Sequence, residues 1–164
     1  MVTLPQDGGC DCGAVRYQLN AAPLLAYACH CHSCQTRSGA AFSLTLVVRS
    51  ADVSASGELE VWSRTAPSGR EVAHSSCPRC RIPMFARAPV APDYMSLRVG
   101  TLDDAGWVMP IAQTWVESAI PWALIPGVRA VAWADFDYVA LGREWMATAP
   151  RFEGGDTGVS SAVE

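Results

Sequence analysis

The stretch CHCHSC, residues 29 to 34, places three thiols within six residues: Cys29, Cys31 and Cys34, with His30 and His32 between them. Thiolate is a soft donor suited to zinc, and a structural zinc site closes with four ligands in a tetrahedron. Three sulfurs leave one vertex to be filled from elsewhere in the chain or kept open for something that reacts. Two further hooks carry sulfur: CDCG, with Cys10 and Cys12, and CPRC, with Cys77 and Cys80. Residues two apart in an extended segment point to the same side, and a CxxC turn bends its two sulfurs together, so each hook can grip one ion. Two hooks brought together by the fold close a site of four thiolates. CHCHSC would then hold a second ion with an open position, the arrangement of catalytic zinc.

Spacing alone does not fix this partition. The trio can instead recruit a sulfur from another hook, or a histidine can complete its shell. In an extended segment His30 faces away from Cys29 and Cys31, which discounts it; His32 is harder to exclude. For both, orienting a neighbour or meeting solvent is the favoured role. Isolated cysteines are mostly buried small hydrophobes, and a single CxxC can be a redox pair. Seven thiols in three short motifs argue against both readings. CPRC also runs into Ile82, Pro83 and Phe85, which is no helix start of the thioredoxin kind. Three thiolates on Zn²⁺ leave a net charge of about −1, against about +2 for three histidines, so bound water is acidified less. Such an ion stays soft enough to hold a further sulfur. The ligand set therefore points to a substrate that brings a thiol or thiohemiacetal sulfur.

Composition narrows the remaining possibilities. The net charge is −4 and the pI about 5.3, with twelve scattered basic residues, which weighs against nucleic acid as a partner. No apolar run approaches the roughly 20 residues that span a bilayer, and the start MVTLPQDGGCDCG shows no secretory pattern. The expectation is a soluble cytoplasmic protein without a membrane partner. In that reducing compartment seven cysteines do not persist as disulfides, and their odd number fits a fully paired framework poorly.

The elements that must position these residues read as strands. In AVRYQL, Val15, Tyr17 and Leu19 alternate with Arg16 and Gln18. FSLTLVV repeats the pattern with Phe42, Leu44, Leu46 and Val48 on one face. LEVWS, EVAHSS, YMSLRVG and QTWVES are further strands, with turns at SASGE, APSGR, APVAPD and DDAG. This texture predicts a mainly β fold. DFDYVALGREWMATA, residues 135–149, reads as a short C-terminal helix with Phe136, Val139, Ala140 and Trp145 on one face and Asp135 able to cap it. Residues 150–164, rich in Gly and Ser, are expected to be a disordered tail after a single domain over 1–149.

GGCDCGAVRY, ACHCHSCQTRSGAAFS, SGREVAHSSCPRCRIPMFAR, LRVGTLDD and VESAIPW, in that order, resemble the glutathione-dependent formaldehyde-activating enzyme (Gfa) family, which includes centromere protein V. The resemblance covers residues 8 to about 127. It implies an Mss4-like zinc-binding β fold with two zinc ions. Carried onto matching positions, the structural zinc is held by Cys10, Cys12, Cys77 and Cys80, and the catalytic zinc by Cys29, Cys31 and Cys34 with an exchangeable fourth position. The implied activity is that of a carbon–sulfur lyase: reversible condensation of glutathione with formaldehyde to S-hydroxymethylglutathione. The chain departs from the family where glycine usually follows the last CxxC, at Arg81, and where an aromatic usually precedes Cys77, at Ser75 and Ser76. Ser38, Gly39 and Phe42 match the family segment after the triad, with turn and core as their favoured roles. Arg16, Arg37 and Arg81 are candidates for the glutathione carboxylates, without an assignment. The expected partner is a small-molecule thiol, with a second copy of the chain as a further candidate. The competing readings are a non-catalytic zinc-binding interaction module and a thiol-based redox or metal-buffering protein.

Overall fold

The computed structural model describes residues 1–155. The chain runs through β1 (Val2–Thr3), β2 (Gln6–Gly9), β3 (Arg16–Leu19), β4 (Leu25–Cys29), the short helix α1 (His32–Ser38), β5 (Ser43–Arg49), β6 (Val53–Ser56) and β7 (Glu60–Thr65). It continues through β8 (Glu71–Ser76), β9 (Pro83–Arg87), β10 (Tyr94–Arg98), β11 (Ala112–Thr114), β12 (Arg129–Val131), helix α2 (Tyr138–Thr148) and β13 (Phe152–Glu153). An eight-stranded sheet has the order β12-β11-β4-β5-β10-β9-β8-β7; a second sheet has the order β2-β3-β6; β1 pairs with β13. This mainly β architecture with a short C-terminal helix agrees with the Mss4-like class implied by the resemblance.

Side chains alternate across a strand, so register decides which residues share a face. Ala26, Leu46, Leu97 and Phe85 stand in one row across β4, β5, β10 and β9. Together with Val15, Tyr17 and Leu19 of the small sheet they belong to one buried core, and Tyr17 meets Phe85 edge-on at 5.3 Å between centroids. Full burial of Leu46 and Leu97 stabilises by about 1.5–3 kcal/mol each. Glycine at position 8 is required by this contact: a Cβ there would lie 2.3 Å from the Tyr17 ring. The opposite face of the large sheet is polar. Cys29 stands opposite Ser43, Thr45 opposite Arg98, and Ala86, His74 and Trp62 form a row across β9, β8 and β7.

AVRYQL alternates as expected, with Val15, Tyr17 and Leu19 buried. FSLTLVV departs from simple alternation: Ser43, Thr45, Leu46 and Val48 are all buried, because β5 lies inside the sheet and is covered on both faces. Only Gln113 and Thr114 of QTWVES are in a strand; Trp115 turns into the left-handed region at φ 57° and leads into a 3-10 turn. Helix α2 starts at Tyr138 rather than at the expected Asp135, which sits in a preceding 3-10 turn. Its cap is Asp137, whose Oδ1 accepts from the amides of Val139 and Ala140 at 2.9 and 3.0 Å. The buried face of α2 carries Leu141, Gly142 and Trp145, while Val139 is exposed. Gly142 lets the helix approach β4: a Cβ there would lie 3.1 Å from the Leu24 carbonyl.

The expected tail is corrected in its first part. Phe152 and Glu153 pair in parallel with Val2 and Thr3, and the Phe152 ring meets Trp107 edge-on at 5.4 Å. One aromatic side chain with a hydrophobic socket is enough to fix this segment against the sheet. Residues 156–164 lie outside the described residues. No helix among the described residues is long and apolar enough to cross a membrane.

Candidate metal centres

Cys10 and Cys12 lie in the loop between β2 and β3, and Cys77 and Cys80 in the turn between β8 and β9, so each hook belongs to a different sheet. Their four Sγ atoms all lie within 4.8 Å of one another. Cys10 and Cys12 are 3.6 Å apart, and Cys12 and Cys77 3.7 Å. A tetrahedron with Zn–S bonds of about 2.3 Å has edges of roughly 3.8 Å, whereas a disulfide needs about 2.05 Å. The spacing fits four thiolates around one ion and is far too long for bonded pairs. Backbone donors support the sulfurs: the Val15 amide donates to Cys10 Sγ at 3.3 Å. Cys77 is fully buried while Cys12 is exposed, so the cluster sits at the edge of the core.

Cys29 is the last residue of β4, Cys31 is the N-cap of α1, and Cys34 lies in the first turn of that helix. These three Sγ atoms also lie within 4.8 Å of one another. Among the described residues no fourth His, Cys, Asp or Glu joins them. The bend is set by hydrogen bonds. Cys31 Sγ accepts from the Cys34 amide at 3.4 Å, and Gln35 Nε2 donates to the carbonyls of His30 and Ser118 at 2.6 and 2.9 Å. Gly39 then ends the helix in the left-handed region at φ 61°. Donation from the Cys29 and Cys34 thiols, and from the amides of Cys34 and Ser33, holds the Cys31 thiol well below its ordinary value. Cys29 is pushed up, chiefly by sharing its proton with Cys31 and Cys34.

Both histidines lie outside the trio. His30 is fully buried, and its Nε2–H donates to Gln113 Oε1 at 3.2 Å. Gln113 is in turn held by the Ile125 amide and by the Ile125 and Val128 carbonyls. His30 therefore anchors the turn to β11, as its direction in the sequence suggested. His32 is exposed at the start of α1. Ser38 is a turn residue whose Oγ donates to the Cys34 carbonyl at 2.8 Å, and Phe42 packs on the His30 ring at 5.2 Å.

The sequence reading missed what surrounds the trio. On one side Tyr27, two residues before Cys29 in β4, packs edge-on against Phe136 and Tyr138 at 5.0 and 6.3 Å. Burial pushes the Tyr27 hydroxyl well up. Trp133 extends this wall by stacking on Phe136 and on Trp115. Arg98, bonded to Ser43 opposite Cys29, and Arg37, three residues after Cys34, lie close as well, with Trp62 against Arg37 and with His74 and Arg64 next to Trp62. The period-2 pattern of LEVWS and EVAHSS contained the signal: Trp62, Arg64 and His74 fall on one face once β7 and β8 pair.

The family model for the glutathione-dependent formaldehyde-activating enzyme matches residues 5–118. The chain belongs to the Gfa family. None of the curated proteins matches it. Among solved structures, a Rhodobacter sphaeroides protein determined as a structural-genomics target is 22% identical over 63% of this chain and 91% of its own, with a TM-score of 0.47. Within the Gfa frame, two cysteine clusters able to bind metal ions are in place.

The two departures from the Gfa pattern have a visible local geometry. Arg81 occupies the position where glycine is usual, and its φ of 63° lies in the left-handed region that glycine enters without cost. Its amide still donates to the Cys77 carbonyl at 2.9 Å, so the knuckle is kept. Its side chain pairs with Glu60. Ser76, small where an aromatic is usual nearby, lines a cavity of about 400 Å3 together with Arg37, Glu60, Trp62, Arg81 and Pro83. Arg16, the remaining arginine candidate, is exposed and pairs with Asp103.

Proposed function

We propose that this protein is a zinc-dependent carbon–sulfur lyase that acts on a thiol adduct, with S-hydroxymethylglutathione formed from glutathione and formaldehyde as the first substrate pair to test. The observation that carries the reading is the three-sulfur cluster that no fourth His, Cys, Asp or Glu joins among the described residues, in a chain of the Gfa family. In this reading Cys10, Cys12, Cys77 and Cys80 hold a structural zinc, and Cys29, Cys31 and Cys34 hold the catalytic one. Bound there, zinc would supply a soft vertex for the substrate sulfur and Lewis acidity tempered by three thiolates.

The chain's own residues do the positioning. Cys29, Cys31 and Cys34 fix the place of the sulfur through a bend held by the Cys34 amide on Cys31 Sγ and by Gln35 on the His30 and Ser118 carbonyls. In this reading the aromatic group that starts at Tyr27, two residues before Cys29, and continues through Phe136, Tyr138 and Trp133 offers an apolar flank to a one-carbon aldehyde. Holding sulfur and carbonyl carbon at attack distance converts a bimolecular addition into a local one. The balance is simple: a carbon–sulfur bond forms, the carbonyl π bond breaks, and the thiol proton ends on the new hydroxyl. The reverse step releases formaldehyde. Seven free thiols suit a reducing compartment, and the reading places the protein in the cytoplasm as one zinc-dependent domain.

The test is exchange spectroscopy with 13C-formaldehyde and glutathione. Wild-type protein holding two equivalents of zinc is expected to speed adduct exchange, and Cys31→Ser to abolish the effect. Exchange no faster than in buffer, with both ions present, would overturn the reading.

A further inference from the structure

Resting on the reading of the trio as a thiol site, we propose that Arg37, Arg64 and Arg98, seated with Trp62 and His74 on the polar face of the large sheet that carries Cys29, form an anion subsite for a carboxylate of the thiol substrate. The substrate class is thereby narrowed to mercapto acids and peptides bearing a carboxylate near the thiol.

Register places the groups together. Arg98 stands opposite Thr45, two residues from Ser43, the strand partner of Cys29. Its Nη1 donates to Ser43 Oγ, which anchors the guanidinium beside the cysteine knuckle. Arg37 extends from α1, three residues after Cys34, and its guanidinium carbon lies 4.4 Å from the centre of the Trp62 ring. His74 stacks on the same indole at 4.6 Å, nearly parallel. Arg64 Nε donates to His74 Nε2 at 3.2 Å, so the imidazole accepts at that atom and is neutral. Burial and the charges of Arg37, Arg64 and Arg98 push it down to about 4, so it adds no positive charge of its own.

Two observations mark this cluster as more than a solvated basic patch. None of its arginines has a carboxylate partner: the ion pairs among the described residues are Arg16–Asp103, Arg81–Glu60 and Arg129–Glu144. It also holds two of the four buried side-chain polar atoms that lack a partner among the described residues, Arg37 Nε and His74 Nδ1. His74 is only 2% exposed. The cavity lined by Arg37, Trp62, Ser76 and Pro83, with Glu60 neutralised there by its ion pair with Arg81, gives an anion room to enter beside Arg37.

Charge complementarity selects the ligand. Three thiolates on a divalent ion carry about one net negative charge, so the three guanidiniums leave about two positive charges unmatched. A thiolate that also carries a carboxylate brings two negative charges, which together offset that excess while the sulfur takes the open vertex. A guanidinium presents paired N–H donors to a carboxylate in a planar fork, and Trp62 holds the plane of Arg37 for that purpose.

The experiment compares 3-mercaptopropionate with its neutral analogue 3-mercaptopropanamide by calorimetric titration of the zinc-loaded protein. Wild type is expected to bind the acid roughly ten-fold more tightly than the amide. Arg37→Gln and Arg98→Gln should bring that ratio close to one and leave the affinity for the amide unchanged, with zinc content reporting an intact fold. Equal affinities for acid and amide in wild type would overturn the subsite while leaving the thiol site standing. If neither thiol binds, the thiol reading fails, and glutarate decides the subsite: saturable quenching of fluorescence that is lost in both Trp62→Phe and Arg37→Gln supports it. The absence of that quenching overturns it.

Discussion

Cys10, Cys12, Cys77 and Cys80 come from hairpins of two different sheets, and Cys12 and Cys77 are 65 residues apart. Cys29, Cys31 and Cys34 come from the end of one strand and the turn that follows it. The first cluster can form only when the sheets have docked, so an ion bound there is bound to the folded state and adds its affinity to folding. The second cluster is local, supported by His30, Gln35 and Gln113, and under the proposed function it exchanges what it holds without moving a sheet. In the proposed function, identical ligands would take different tasks from the distance over which the chain gathers them.

The largest effect is expected at the clasp between the sheets. Structural zinc contributes about 10–16 kcal/mol in zinc-finger peptides, and a domain of this size is stable by about 5–15 kcal/mol. Cys77→Ser, at a fully buried ligand, should therefore yield protein that unfolds or aggregates, as followed by circular dichroism and elemental zinc. Cys31→Ser should instead keep wild-type secondary structure, hold one equivalent of zinc and lose all turnover. Similar behaviour of the two variants would break the contrast.

Much of this division was legible in the sequence, and the reasons differ from residue to residue. CDCG, CHCHSC and CPRC announce their hooks because thiolate spacing is a local property. That the hooks meet four-and-three is a matter of long-range pairing, which the sulfur count suggested and the family resemblance selected from the open alternatives. Asp137 rather than Asp135 caps α2 because a 3-10 turn of three residues intervenes, which periodicity does not register. The segment HSCQTRS became α1 although it offers no apolar face; its capping by Cys31 and Gly39 makes the helix. Arg98, Arg64 and His74 escaped notice because they are adjacent only through the registers of β5, β10, β9, β8 and β7.

Smaller changes sharpen the contrast around the closed cluster. Arg81→Gly relieves a left-handed backbone at a cost of about 1–2 kcal/mol and forfeits an exposed ion pair worth under about 1 kcal/mol. A gain of about 1 kcal/mol in urea unfolding is expected, without change in the zinc held by the trio. A pH effect belongs to the face of the trio. His74 is lowered from its ordinary 6.5 to about 4, so between those values the unfolded chain binds more protons than the folded one. Its contribution to stability is complete above pH 6.5 and is lost as the pH falls towards 4. His74→Gln should flatten that part of the stability profile, measured at fixed zinc saturation.

The most direct test of the open vertex is cobalt substitution followed by addition of a thiol. Protein holding two equivalents of Co²⁺ should change its sulfur-to-metal charge-transfer bands on addition of glutathione, and Cys31→Ser should remove that response and spare the bands of the four-sulfur cluster. A spectrum that ignores thiols, or a response that persists in Cys31→Ser, would contradict the account.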